Sequence, residues 1–184
     1  MPFLYDPSTA VAELRKRDRN LSKLIDRVGP FRMPLRDRST LFQSLLRSIV
    51  YQQLSGKAAG TIYHRLLTLF PRKRATAKYL LTLSDEAIRG AGISRNKLAA
   101  ARDLAVKTVD KSIPGQRVLQ GMDDEAIIAH LVGVRGIGPW TVEMLLIFHF
   151  GRGDVLPVNE LGVRRGFMIC HGGEELPEPA ELLA

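Results

Sequence analysis

A glycine-rich turn at residues 134–140, VRGIGPW, is the first candidate for a functional site in this sequence. Gly136 and Gly138 can both take positive φ, which lets the chain reverse sharply between two helices. Pro139 suits the first position of the second helix, where a missing N–H costs nothing. The main-chain amides of such a turn can bind phosphate without regard to base sequence. With Arg135 beside them they predict a phosphate-binding loop, although glycines also serve helix hairpins that bind nothing.

A carboxylate in PVNELG, residues 157–162, is a second candidate for chemistry. Asn159 is expected to cap a helix and Glu160 to lie in its first turn, near the positive end of the helix dipole. Taken alone, this pattern is an ordinary helix start. The four histidines show no metal-ligand spacing. Cys170 is the only cysteine, which excludes an internal disulfide and an iron–sulfur cluster held by four cysteines.

The charge of the chain indicates a polyanionic partner. Twenty-seven Lys and Arg against nineteen Asp and Glu give a formal charge of +8. A basic protein of this size usually meets nucleic acid, and the alternative is an ordinary basic surface. The start, MPFLYDPSTAVAEL, lacks the features of a signal peptide, and apolar runs are far shorter than the roughly 20 residues of a membrane span. We expect a soluble, intracellular protein that is not secreted.

Apolar residues at helical spacing predict an all-α protein of roughly eight to ten helices. The clearest helix lies in STLFQSLLRSIVYQQLS, capped by Ser39 or Thr40. Its apolar stripe comprises Leu41, Phe42, Leu45, Leu46, Ile49 and Val50. Further helices are expected over residues 6–29, 56–70 and 93–109 and after caps at Ser84 and Asp123, with a loop over 71–79. No segment alternates long enough to build a sheet.

Three segments together resemble the helix-hairpin-helix (HhH-GPD) DNA glycosylase superfamily. They are LLRSIVYQQLSGKAAGTIYHRL, GISRNKLAAARDLA and LVGVRGIGPWTVEMLLIFHFGRGDVLPVNELGVRRGF. Within the superfamily they are most similar to the alkylation-repair branch, 3-methyladenine DNA glycosylase II. The resemblance implies a single domain over residues 1–184, built as two helical lobes with a cleft between them. It puts the helix-hairpin-helix at about 125–150 and a catalytic segment at about 153–167.

The resemblance implies an enzyme of base excision repair that acts on double-stranded DNA carrying alkylated purines such as 3-methyladenine. Extrusion of the base is necessary because the reacting carbon is inaccessible inside the stack. Trp140 stands where backbone-cleaving members carry a Schiff-base lysine, so we expect a monofunctional enzyme that uses water. Its indole would stack on the cationic base in the base pocket, or it could simply pack between helices. We expect a monomer that is located in the cytoplasm or wherever the genomic DNA resides. It is expected to require no cofactor, to hold no iron–sulfur cluster and to make no membrane contact.

The same resemblance assigns binding residues. DNA contacts are expected from Gln53, Arg135, Gly136, Ile137, Gly138 and Thr141. Gln53 would fill the gap left by the extruded base, although it could also be an ordinary polar helix end. The main-chain carbonyls of Val132, Val134 and Ile137 would hold a Na⁺ or K⁺ ion that bridges to a DNA phosphate.

Glu160 is the expected catalytic residue, because it aligns with the family's aspartate. That carboxylate stabilises the oxocarbenium-like transition state and activates water. Asp154 and Glu143 are nearby acids at other positions, and Asp154 is expected to anchor its loop. Glutamate in place of aspartate moves the carboxylate by roughly 1.5 Å, and a displacement of about 1 Å can cost about a hundredfold in rate.

A second departure from the family is the C-terminus, where relatives continue with a further helix and this chain ends in HGGEELPEPAELLA. We therefore expect the C-terminal helix to be missing. Together with Glu160, this leaves an alternative reading: a non-catalytic or weakly active protein that binds DNA or damaged DNA through the same hairpin.

Overall fold

A computed structural model describes residues 3–35 and 39–183 of the chain. Within those residues every regular element is a helix and no β-strand occurs, so the predicted all-α fold is confirmed. The α-helices are α1 (Pro7–Arg17), α2 (Arg19–Val28), α3 (Leu41–Tyr51), α4 (Gly56–Thr68), α5 (Ala77–Leu80), α6 (Asp85–Gly90), α7 (Arg95–Val109), α8 (Gln116–Gln120), α9 (Asp124–Leu131), α10 (Pro139–Leu145) and α11 (Leu161–His171). A π-helical turn, Leu146–Phe150, follows α10 directly.

Polar side chains fix where the helices begin. Thr40 accepts a hydrogen bond from the Gln43 N–H, and the Gln43 side chain accepts one from the Thr40 N–H, which forms a capping box. The side chains of Ser84 and Asp123 cap α6 and α9, each by accepting a hydrogen bond from one N–H. Each cap satisfies N–H groups that the first helical turn leaves unpaired. The predicted caps are therefore confirmed, with Thr40 rather than Ser39 capping α3.

Two local predictions are wrong, and one short helix was not predicted. The helix expected over residues 6–29 breaks at Asp18, which ends α1 and caps α2 by accepting hydrogen bonds from two N–H groups. A short aspartate side chain competes with the helical bonding of the backbone, which explains the break. The loop expected over 71–79 contains a 3-10 turn and the start of α5, and α8 was not predicted. These short elements bring the described residues to eleven α-helices.

The chain divides into two compact units, one of Met1–Leu35 with Leu146–Ala184, and one of Arg36–Leu145. We call the first the terminal unit and the second the central unit. In the central unit α3 packs on α4, α7 and α10. Its predicted apolar stripe is buried throughout, which confirms that prediction. The stripe therefore forms the core on which α4, α7 and α10 pack.

In the terminal unit α2 packs on α1 and α11. The Leu4 N–H donates to the Gly151 carbonyl at 3.1 Å, which attaches the start of the chain to the segment after the π-helical turn. His171, at the end of α11, lies 3.4 Å from the Asp18 carboxylate. These contacts hold α11, the helix that begins directly after Glu160. No helix among the described residues is long and apolar enough to cross a membrane.

Candidate nucleic-acid interface and active site

The glycine turn joins α9 to α10 within the central unit. Gly136 adopts a left-handed φ of +76°, and the Ile137 N–H donates to the Val134 carbonyl at 3.0 Å. A Cβ at Gly136 would also lie 3.3 Å from the Cβ of Ala100. The left-handed conformation therefore favours glycine at 136, and a side chain there would be tight against Ala100. The predicted positive φ is confirmed for Gly136 and wrong for Gly138, because one left-handed residue already reverses the chain.

At Gly138 no side chain covers the main chain of the turn. A Cβ built at this position would meet nothing within 4 Å, so the fold itself does not demand a glycine there. The N–H groups of Gly136 and Gly138 have no acceptor among the described residues. Pro139 begins α10, as predicted. The turn thus presents bare main chain with two unpaired donors, which is a surface that a phosphate can approach closely.

Two residues expected to contact DNA point into the fold. The side chains of Ile137 and Thr141 are each only 4% exposed. The Ile137 N–H donates to Val134, and the Thr141 N–H donates to the Gly138 carbonyl at 3.0 Å. The DNA contacts expected from these two residues stay predictions, and the main-chain carbonyl of Ile137 accepts no hydrogen bond from the described residues. Arg135 is exposed, so its side chain is available to an anion.

Helix α7 holds the turn in place. Asp103 Oδ2 accepts from the Arg135 N–H at 2.7 Å and from Lys107 Nζ at 2.9 Å. Lys107 Nζ also donates to the Gly133 carbonyl at 2.5 Å. Burial alone would raise the pKa of Asp103, but the hydrogen bonds from Arg135 and Lys107 outweigh it and hold that pKa below its usual value. A charged carboxylate therefore fastens the turn to α7.

The carbonyls assigned to a monovalent cation have the lone pairs that such an ion needs. Those of Val132 and Ile137 accept no hydrogen bond from the described residues, and that of Val134 accepts one, from Ile137. Main-chain carbonyl oxygens are suitable ligands for K⁺ and Na⁺. Lys107 Nζ binds the neighbouring Gly133 carbonyl, which shows that the carbonyls of this turn attract positive charge. The donor set fits the predicted ion.

An exposed indole and an acid with no partner in the described part of the chain share one face of α10. Trp140 is 47% exposed, so packing between helices does not account for it. Thr141, Val142 and Leu145 form the buried side of the helix. Glu143 lies three residues after Trp140, which places the two side chains next to each other. Burial raises the pKa of Glu143, and no described residue forms a hydrogen bond or ion pair with its carboxylate.

Gln53 occupies a strained turn after α3. Its φ is +55°, a conformation that residues other than glycine rarely adopt, at a cost of about 1–3 kcal/mol. The side chain is exposed and has no hydrogen-bond partner among the described residues. One left-handed residue directly after the last helical residues is also a common way for a helix to end. The contact role of Gln53 therefore stays a prediction.

Glu160 lies in the terminal unit, where its N–H donates to the Pro157 carbonyl at 2.9 Å. That turn makes Glu160 itself the N-cap of α11, so the prediction that Asn159 is the cap is wrong. The Glu160 side chain is half-buried and makes no capping bond, hydrogen bond or ion pair with the described residues. Its carboxylate is therefore free to act on a ligand. Asp154 is exposed and likewise unbonded in the described part, so its predicted anchoring role is wrong.

Sequence comparison now defines the class of protein. Residues 46–184 match the family described as HhH-GPD superfamily base excision DNA repair protein. The match covers most of the chain, and the chain belongs to that family. It lies in the 3-methyladenine glycosylase branch, as the resemblance implied.

Individual relatives agree with this assignment. The chain is 32% identical over 167 residues to DNA-3-methyladenine glycosylase 1 of Schizosaccharomyces pombe, covering 87% of this chain and 71% of that protein. The structure of the Schizosaccharomyces pombe 3-methyladenine DNA glycosylase in complex with abasic DNA superposes with a TM-score of 0.85 at 30% identity, covering 95% of this chain and 86% of that one. A DNA-3-methyladenine glycosidase from Bacillus halodurans gives 0.83 at 33% identity, covering 97% and 79%.

The sequence indicated Glu143 only as a nearby acid at another position and did not indicate Asp103 at all. The spacing of Glu143 from Trp140 was a usable signal, since residues three apart share a helix face. Asp103 had no local signal, because its partner Arg135 lies 32 positions away. Both residues belong to the surroundings of the candidate interface.

We predict that Glu143→Gln raises the thermal midpoint of unfolding at neutral pH. Because the pKa of Glu143 is raised in the folded state, ionising this carboxyl destabilises the fold. The free energy of unfolding therefore falls as pH rises through the folded pKa. The gain should vanish near about pH 3.5, where the carboxyl is protonated in both states. Calorimetry across this pH range measures the effect. The exposed Glu174→Gln is the matched control and should show no such gain; a Glu143→Gln midpoint equal to that of the wild type at neutral pH contradicts the prediction.

Proposed function

We propose that this protein is a monofunctional DNA glycosylase that removes alkylated purines such as 3-methyladenine from double-stranded DNA by hydrolysing the N-glycosidic bond. The observation that carries the proposal is the free carboxylate of Glu160, which stands at the family's catalytic position and neither caps its helix nor pairs with a described residue. The names of the relatives support the substrate class. Trp140 supports the monofunctional reaction, because an indole has no amine with which to form a Schiff base.

In this proposal the turn of the central unit binds the DNA strand. The N–H groups of Gly136 and Gly138 donate to phosphate oxygens, and Arg135 adds positive charge. These contacts do not read bases, so they position the protein without selecting a sequence. The carbonyls of Val132, Val134 and Ile137 would hold a Na⁺ or K⁺ ion, which supplies further positive charge toward a phosphate.

Gln53 and Trp140 stabilise the extruded state of the base. Gln53 enters the space that the base vacates, and the indole of Trp140 stacks on the extruded ring. A methylated purine carries positive charge, which an electron-rich indole attracts. Glu143 adds a negative charge on the same face of α10. Together, Trp140 and Glu143 favour a cationic base over a neutral one.

Glu160 performs the chemistry. As the bond between the sugar C1′ and the base nitrogen breaks, positive charge develops on the sugar, and the carboxylate stabilises it. Water then attacks C1′ and gives its proton to the carboxylate, which leaves a free base and an abasic site. The cationic base departs without needing a proton of its own. The extra methylene of glutamate, compared with the family's aspartate, allows the same reaction only if the pocket accommodates the longer side chain.

We predict that Glu160→Gln lowers the single-turnover rate of 3-methyladenine release from methylated duplex DNA by about 100-fold or more, because it removes the charge while keeping the shape. Glu160→Asp restores the family's acid and should retain release. Chromatography of the freed bases measures both. Release by the Gln variant at the wild-type rate contradicts the assignment of Glu160.

A DNA-binding protein without catalysis is the second candidate, and the glutamate at position 160 is the observation that favours it. It would bind duplex DNA with the salt dependence of phosphate contacts and leave no abasic product. The same assay separates the two candidates: absence of release by both the wild type and Glu160→Asp, with DNA binding intact, selects the binding protein.

We predict that Gly138→Val weakens binding to duplex DNA by about 10- to 100-fold, because a side chain would keep phosphate from the N–H groups while the fold has room for it. Fluorescence anisotropy at several salt concentrations measures the dissociation constant. The matched control is Gly90→Val, outside the hairpin, where a Cβ would also meet nothing within 4 Å. Equal affinities for the two variants would remove the hairpin from the DNA interface.

A further inference from the structure

One side chain ties the turn that carries Gln53 to the hairpin turn. Gln52 Nε2 donates to the Gly136 carbonyl at 2.7 Å, across 84 positions of sequence. Gly136 is also the residue whose N–H has no acceptor among the described residues. Its carbonyl is thus held by the neighbouring turn while its N–H stays available. The two turns that face DNA in the proposed function are in direct contact with each other.

Lys97 completes this connection from α7. Its Nζ donates to the carbonyls of Val50 and Gln52, each at 2.8 Å. These carbonyls belong to the end of α3, where helices usually rely on a glycine for termination. Here the ammonium group satisfies them instead. Gln52 therefore accepts from Lys97 with its main chain and donates to Gly136 with its side chain.

The face of α7 that carries Lys97 also carries the residues that hold the hairpin. The spacings of three, three and four residues along this face are those of helical neighbours. Lys97 binds the turn after α3, and Ala100 lies against Gly136. Asp103 accepts from the Arg135 N–H, and Lys107 donates to the Gly133 carbonyl. One helix therefore holds both turns and fixes the distance between them.

We propose that Gln52 and Lys97 are positioning residues that hold Gln53 at a fixed reach from the phosphate-binding N–H groups of Gly136 and Gly138. Binding of the strand and insertion of Gln53 then occur as one movement. This inference rests on the proposed function, in which Gln53 enters the duplex. Neither positioning residue needs to touch the extruded base.

The left-handed turn at Gln53 explains why such a support is needed. A glutamine in this conformation relaxes toward an ordinary backbone unless its neighbours hold it. Loss of the Gln52 or Lys97 bonds would let the turn shift relative to the hairpin. A shift of about 1 Å is enough to lower the rate of a positioned step by about 100-fold. The amides of the hairpin would remain, because Asp103 and Lys107 hold them separately.

The test uses Gln52→Met, which keeps the length of the side chain and removes its donor, and Lys97→Met. Extrusion is followed by the fluorescence of 2-aminopurine placed in a mismatched duplex, a readout that needs no bond cleavage. We expect the extrusion rate to fall about 10- to 100-fold in both variants. Affinity for undamaged duplex and its salt dependence should change by less than about twofold. Lys97→Arg keeps donors at this position and should retain most of the extrusion rate.

Lys78→Met, at an exposed lysine of α5, is the matched control and should behave as the wild type. Extrusion at the wild-type rate in Gln52→Met overturns the proposal. It is also overturned if both methionine variants lose affinity for undamaged duplex in proportion to extrusion, since that would indicate a general loss of structure. If base release is absent in the wild type while the expected extrusion pattern holds, the positioning role stands and the proposed hydrolysis fails.

Discussion

The hydrogen bond from the Arg135 N–H to the Asp103 carboxylate, 2.7 Å long, is the contact on which the hairpin depends. It turns one amide of the loop toward α7, and Lys107 holds the Gly133 carbonyl on the same helix. The following N–H groups, at Gly136 and Gly138, are left without acceptors in the described part of the chain. A helix surface thus fixes a loop whose own main chain stays available. The buried α3 stripe supports that arrangement, because α7 and α10 both pack on α3.

Under the proposed function, binding and selection are carried out by different residues. Main-chain donors and Arg135 provide contacts that are the same for any DNA sequence, while the face of α10 with Trp140 and Glu143 provides contacts suited to one kind of base. The Glu143 carboxylate has no bonding partner among the described residues and lies in surroundings that disfavour its charge. A residue that weakens the fold in this way is expected where a ligand compensates for it. Under the proposed function, the cationic base is that ligand.

Local patterns predicted the fold well, because helix caps and apolar stripes act within one or two turns. Thr40 and Ser84 cap where expected, and the α3 stripe is buried. Prediction failed where two local patterns competed for the same residues. Asp18 breaks a periodic segment by capping the next helix, and the Pro157–Glu160 turn moves the cap from Asn159 to Glu160. The supports of the site, Gln52 on Gly136 and Asp103 on Arg135, join positions far apart, so no local pattern could indicate them.

The most direct test of the account is the response of individual backbone amides to DNA, measured by ¹H–¹⁵N NMR during titration with a short duplex. The N–H signals of Gly136 and Gly138 should move strongly downfield as they donate to phosphate, and the shifts should shrink with added salt. The N–H of Arg135, already bonded to Asp103, should move much less. Unchanged Gly136 and Gly138 signals at saturating DNA would contradict the claim that bare main chain forms the DNA interface.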